Sequence, residues 1–182
     1  MKKTSLCLIL LMSINFLAAQ NIFDQYQKDS SVSYLSVSPK MFEMLGKLSI
    51  NTDDPKMNGF IDMVQNMKSF KVLSTKDSAI AQNMEAWLDN QIDETDLESI
   101  MNLTEEEVEV QFCAVYAPDD SKLERLVMFV KGAQKYVEQE GLEVPNIDFI
   151  LLSIEGSIDL NQVATLTEII DIPGGKFLKE IN

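Results

Sequence analysis

The residues of this chain whose types could do chemistry are Cys113 and three runs of adjacent carboxylates, Asp53-Asp54, Glu105-Glu106-Glu107 and Asp119-Asp120. A cysteine is a nucleophile only as its thiolate, which needs a cation, a histidine or a helix N-terminus beside it. Cys113 instead stands between Phe112 and Ala114 with no basic neighbour in sequence, and reads as a packing residue. Paired carboxylates can hydrolyse glycosidic bonds unaided by histidine. Here, however, the acidic residues are consecutive and fall in predicted loops or turns, where a solvated surface is the plainer reading. The chain has no histidine at all, which removes serine–histidine and cysteine–histidine pairs, histidine bases and the usual zinc, copper and iron ligand sets. The glycine patterns of dinucleotide and P-loop sites are missing, as is the calcium-loop pattern. No catalytic residue, cofactor-binding residue or metal ligand is predicted, and no cofactor is expected.

The elements that would position such residues follow from hydrophobic period. Val32 to Val37 is a β-prone run, and Ser38-Pro39 supplies an N-cap and a first-turn proline for a helix. In that helix Met41, Met44, Leu45 and Leu48 fall at i, i+3, i+4, i+7, which predicts one buried stripe. Asp54-Pro55 repeats the start signal for a helix burying Met57, Phe60, Ile61 and Val64, and Phe70 to Leu73 then reads as a strand. A third helix opens near Asp77 and buries Ile80, Met84, Trp87 and Leu88.

After Ile92 the period changes from 3.6 to 2, so the second half should be mainly sheet. Val108 to Tyr116 alternates and stops at the Pro118-Asp119-Asp120 turn; Asp148 to Glu155 is a second strand, ended by Gly156. Asp159 with Gln162 resembles a capping box for a last helix through Val163 and Leu166. Leu123 to Val137 fits two patterns, a helix capped by Ser121 and Glu124 or a buried strand over Leu126 to Val130, and pattern alone does not decide. The expected fold is a single α+β domain, a mostly antiparallel sheet with helices packed on it, helix-rich in its first half and strand-rich in its second.

The N-terminus bounds where that domain works. Lys2 and Lys3 precede an apolar stretch from Leu6 to Leu17, which ends at Ala18 and Ala19. This is the layout of a secretory signal peptide, and it is shorter than the roughly 20 apolar residues a membrane span needs. Residues 1–19 are therefore read as a cleaved signal, and residues 20–182 as the mature domain, periplasmic or extracellular and without a transmembrane segment. Cys7 leaves with the signal, so Cys113 is the only cysteine of the mature chain and has no partner for an intramolecular disulfide. The chain's net charge is −14, and losing Lys2 and Lys3 makes it −16. Such a surface repels phosphate backbones and anionic headgroups, so nucleic acid is not an expected partner.

Three segments carry a resemblance. The Tyr34 strand running into Ser38-Pro39-Lys40-Met41, the strand Phe70-Lys71-Val72-Leu73, and Leu151 through Gly156 to Ser157-Ile158-Asp159 are similar to an uncharacterised family of exported Bacteroidota proteins, domain of unknown function 4252. The resemblance implies the strand alternative for Leu123 to Val130, with Lys131 to Asn146 as an enlarged connection, and it implies no catalytic residue. Asp77-Ser78-Ala79 resembles the O-glycosylation acceptor of that phylum and makes Ser78 a candidate modification site; as plain structure, Asp77 is a helix N-cap.

In the strand from Asp148, Phe149 and Leu151 alternate with Ile150 and Leu152, so both faces are apolar. Either helices cover both faces or a partner, another protein or a second copy, covers Phe149 and Leu151. The leading expectation is an exported, non-catalytic interaction or binding module of the cell envelope. The alternative is a histidine-free carboxylate hydrolase of envelope glycans, marked by two acidic side chains converging on one pocket.

Overall fold

The computed structural model describes residues 21–47, 53, 55–105, 107–118, 121–135 and 147–159. In chain order these form α1 (Ile22–Tyr26), β1 (Val32–Val37), α2 (Pro39–Lys47), α3 (Pro55–Asn66), β2 (Met67–Thr75), α4 (Ser78–Glu94), β3 (Glu98–Glu105), β4 (Val108–Tyr116), β5 (Leu123–Lys131) and β6 (Phe149–Ile158). The fold is α+β, with helices gathered in the first half and strands in the second. All six strands join one sheet in the order β1-β2-β6-β5-β4-β3, and every neighbouring pair is antiparallel.

Local signals place the helix starts. Both Pro39 and Pro55 occupy a first helical position, where a missing N–H costs nothing. Asp77 caps α4: its Oδ1 accepts from the N–H groups of Ala79 at 2.8 Å and Ile80 at 3.2 Å. Along α4, Met84 and Leu88 are fully buried and Ile80 and Trp87 half-buried, as their spacing predicts.

The predicted stripe of α2 is corrected. Met41 and Met44 are 50% and 56% exposed, and the residue α2 buries is Phe42, which packs with Met63 and Val64 of α3. Neighbouring residues on a helix lie about 100° apart, so a helix that points Phe42 into the core turns the adjacent Met41 away from it. The aromatic ring has more area to remove from water than either methionine offers at the same point, and it takes the core side. Leu48 and the side chains of Leu45, Met57 and Phe60 lie outside the described residues.

Residues 123–131 are strand β5, which settles the ambiguous segment against the capping-box helix. The prediction that Gly156 ends its strand is also corrected, because β6 runs on to Ile158. Gly156 has φ +155°, and a Cβ there would meet Asn66 O and come within 2.9 Å of Met67 Cα. Glycine is used at this point for close backbone approach within the sheet. The proposed helix after Asp159 lies outside the described residues.

Helices pack on both faces of the sheet. One face carries Phe112, Met128, Leu152 and Ile154 and meets Phe42, Met63 and Val64 of α2 and α3. The other carries Leu73, Val127, Phe129 and Leu151 and meets Phe23 of α1 with Met84 and Leu88 of α4. Phe23 and Trp87 lie edge to face, ring centres 5.9 Å apart, and Asn83 Nδ2 donates to Tyr26 Oη at 2.8 Å, tying α4 to α1. Leu151 has no exposed surface. The chain's own helices therefore bury it, and it offers nothing to a partner; Phe149, at the start of β6, is half-buried.

Candidate functional site

Besides a shift between Ser99 and Met101 in the β3–β4 pair, sheet register breaks three times at one end of the sheet, in β2, β5 and β6. Lys68 is the extra residue of β2 between the pairs Met67↔Gly156 and Ser69↔Glu155. Glu124 is the extra residue of β5 between Val115↔Arg125 and Tyr116↔Leu123. Opposite Leu123 and Arg125, β6 inserts an additional residue in its Glu155–Ile158 segment, where Gly156 and Ser157 lie. A bulge leaves a residue outside the ladder and re-aims its side chain.

Lys68, Glu124, Gly156 and Ser157 all line the same cavity of about 390 Å³, together with Lys122, Arg125 and Glu155. Lys122 is brought there by the β4–β5 hairpin, which Ala117 N–H closes by donating to Lys122 O at 2.8 Å. A second cavity of about 730 Å³ adjoins it, lined by Asp96, Glu98, Tyr116 and Pro118. Val115, Ala117 and Glu124 wall both, so the two form one groove.

Arg125 dominates the chemistry of the first cavity. It is the chain's one arginine, and its guanidinium lies 5.5 Å from the ring centre of Trp87, the one tryptophan. Its Nη1 donates to Gln91 Oε1 at 3.2 Å, while Nε is buried without an acceptor. Burial pushes the guanidinium pKa down, and the charge of Glu155, its cross-strand neighbour, acts against that. The two make no ion pair, and the stacking on Trp87 holds the guanidinium instead. Lys68 and Lys122 make no ion pair among the described residues. A guanidinium has five N–H donors in a fixed fork, and most of this fork is uncommitted.

The residues singled out from sequence are placed elsewhere. Cys113 is fully buried on the α4 side, its thiol pushed up to about 11 by burial, against a hydrogen bond with Ser99 and with Asp89 adding to the rise. Such a thiol is not a nucleophile at neutral pH. Of the acidic runs, Asp53 and Glu107 are exposed, and Glu107 pairs with Lys135; Asp54, Glu106, Asp119 and Asp120 lie outside the described residues. Ser78 is exposed in the first turn of α4, beside its cap. Among the described residues no three His, Cys, Asp or Glu side chains gather as a metal site, and no helix is long and apolar enough to cross a membrane.

Sequence reasoning did not reach this groove, whose residues come from β2, the β4–β5 hairpin and the end of β6. One local signal points to it. In the apolar run from Leu123 to Val130, Arg125 is a cation at an inward position, and a charge in a half-buried strand calls for an explanation.

Fold and groove define an α+β domain built around one antiparallel sheet, with a charged cleft where that sheet loses register. The sequence model of the family described as Domain of unknown function (DUF4252) matches residues 26–166, and the chain belongs to that family. No curated protein and no solved structure matches the chain.

Proposed function

We propose that the chain is an exported, non-catalytic binding module of the cell envelope that holds its ligand in the groove around Arg125. The observation that carries this reading is the state of that side chain: half-buried, lying over the Trp87 ring, and using one of its donors on the protein. Of the five N–H donors of the guanidinium the protein uses one, and those on Nη2 and the second on Nη1 are left for a ligand acceptor. Export rests on the signal-like N-terminus. The test is an amide NMR titration of residues 20–182 with a small-molecule and peptide extract of the envelope. Shifts should concentrate at Lys68, at Val115 to Arg125 and at Glu155 to Ser157. Shifts confined to other surfaces, or turnover of a component of the extract, would overturn it.

The hydrolase alternative has one observation in its favour, since Glu124 and Glu155 line the same cavity. Glu124 is exposed and Glu155 stands opposite a cation, so neither sits in the apolar enclosure that a general acid requires. If this alternative holds, release of reducing sugar from envelope glycan should vanish in both Glu124→Gln and Glu155→Gln; no release by the unaltered protein disposes of it.

Ser78 is proposed as an O-glycan acceptor on its exposure and its Asp-Ser-Ala context. An intact mass of the protein from its native host that equals the bare polypeptide would refute this.

A further inference from the structure

The groove is polarised. Its first cavity carries three cations, Lys68, Lys122 and Arg125, against Glu155, its second carries Asp96 and Glu98 and no cation, and Glu124 stands on the shared wall. We infer that it binds a short peptide as a zwitterion, the C-terminal carboxylate at Arg125 and the N-terminal ammonium toward Asp96 and Glu98. This rests on the binding reading above and adds to it the class and orientation of the ligand.

Three observations favour a zwitterion over a simple anion. A carboxylate accepts two parallel N–H bonds from one guanidinium, which matches the uncommitted fork of Arg125. Glu124 and Glu155 lie in the same cavity and oppose a dianion such as phosphate. The domain as a whole repels net anions, whereas a ligand carrying both charges approaches with no net repulsion. The bulges add a reason for a peptide: residues displaced from the ladder leave backbone groups for a second backbone to pair with. Both cavities fall within the roughly 300–1,000 Å³ of small-ligand sites, so the ligand is short, about three residues.

Trp87 is the only tryptophan and lies against Arg125, so its fluorescence reports on the cavity without a label. The mature protein would be titrated with a pool of tripeptides having free termini, and separately with C-amidated and N-acetylated pools, sodium acetate and inorganic phosphate, with amide NMR in parallel. The free pool should perturb Trp87 and the groove amides. Amidation should weaken binding at least tenfold and acetylation at least fivefold. Arg125→Gln should cost at least tenfold in affinity while the amide spectrum stays that of the folded protein; should that variant misfold, Glu98→Gln, at an exposed position, should erase the penalty for acetylation. If blocked peptides bind as well as free ones, or acetate or phosphate binds as tightly, the zwitterion assignment is wrong while ligand binding in the groove stands. If no probe perturbs Trp87 or the groove amides, but the envelope extract does, the peptide class is wrong; if nothing does, the binding reading fails with it.

Discussion

Two single residues set testable limits on the fold. The Cys113 thiol has its pKa raised from 9.0 to about 11, chiefly by burial, so the folded chain keeps a proton that the unfolded chain has lost between those values. The stabilisation is complete below pH 9 and disappears as pH rises through 11. Relative to Cys113→Ala, the unaltered protein should therefore lose about 2–3 kcal/mol between pH 8 and pH 11.5, read from paired urea midpoints. Parallel curves would show that the thiol is not desolvated. Gly156 is limited by backbone rather than by charge. Its φ of +155° and the approach of Asn66 O and Met67 Cα leave no space for a methyl group. Gly156→Ala should cost at least about 2 kcal/mol in thermal unfolding, and a normal midpoint would mean that the bulge relaxes around the new side chain.

At the scale of elements, α4 illustrates what sequence makes legible. Its cap, its length and its buried stripe are all local: Asp77 bonds the first turn, and Met84 and Leu88 repeat at four. Asp77→Ala should therefore remove about 1 kcal/mol, seen as a lower urea midpoint, and Asp77→Asn should restore most of it. Strand β6 was legible for the same reason, because alternation placed Leu151 and Leu152 on opposite faces, and α4 and α3 do face each other across the sheet. Leu151→Ala should cost about 2–5 kcal/mol as a cavity in a monomer, independent of protein concentration. A change in association alone would mean that a partner, not α4, covers that face. Where a decision depends on tertiary competition, local pattern is silent. Phe42 displaces Met41 and Met44 from the core because of what α3 presents to it, and Lys68, Glu124 and Ser157 meet only because three strands slip register at one end. Neither fact is written in any window of a dozen residues.

For the whole molecule the informative feature is strand order. Within the sheet, the β1–β2 pair and the β3–β4–β5 meander are hydrogen-bonded to each other through β6, which enters between β2 and β5. Thr75 must wait for Phe149, and Lys131 pairs with that same residue from the other side. During synthesis, then, two half-sheets with open edges precede the strand that unites them, and the domain cannot complete itself until residues 149–158 have emerged. A chain truncated before Phe149 should show no cooperative unfolding and should aggregate through the bare edges of β2 and β5, as light scattering would report. A cooperative transition in that fragment would contradict it. A polypeptide whose sheet closes only with residues 149–158 has no complete fold to undo until that strand is available, and up to that point it can be drawn through a pore that accepts only unfolded chains.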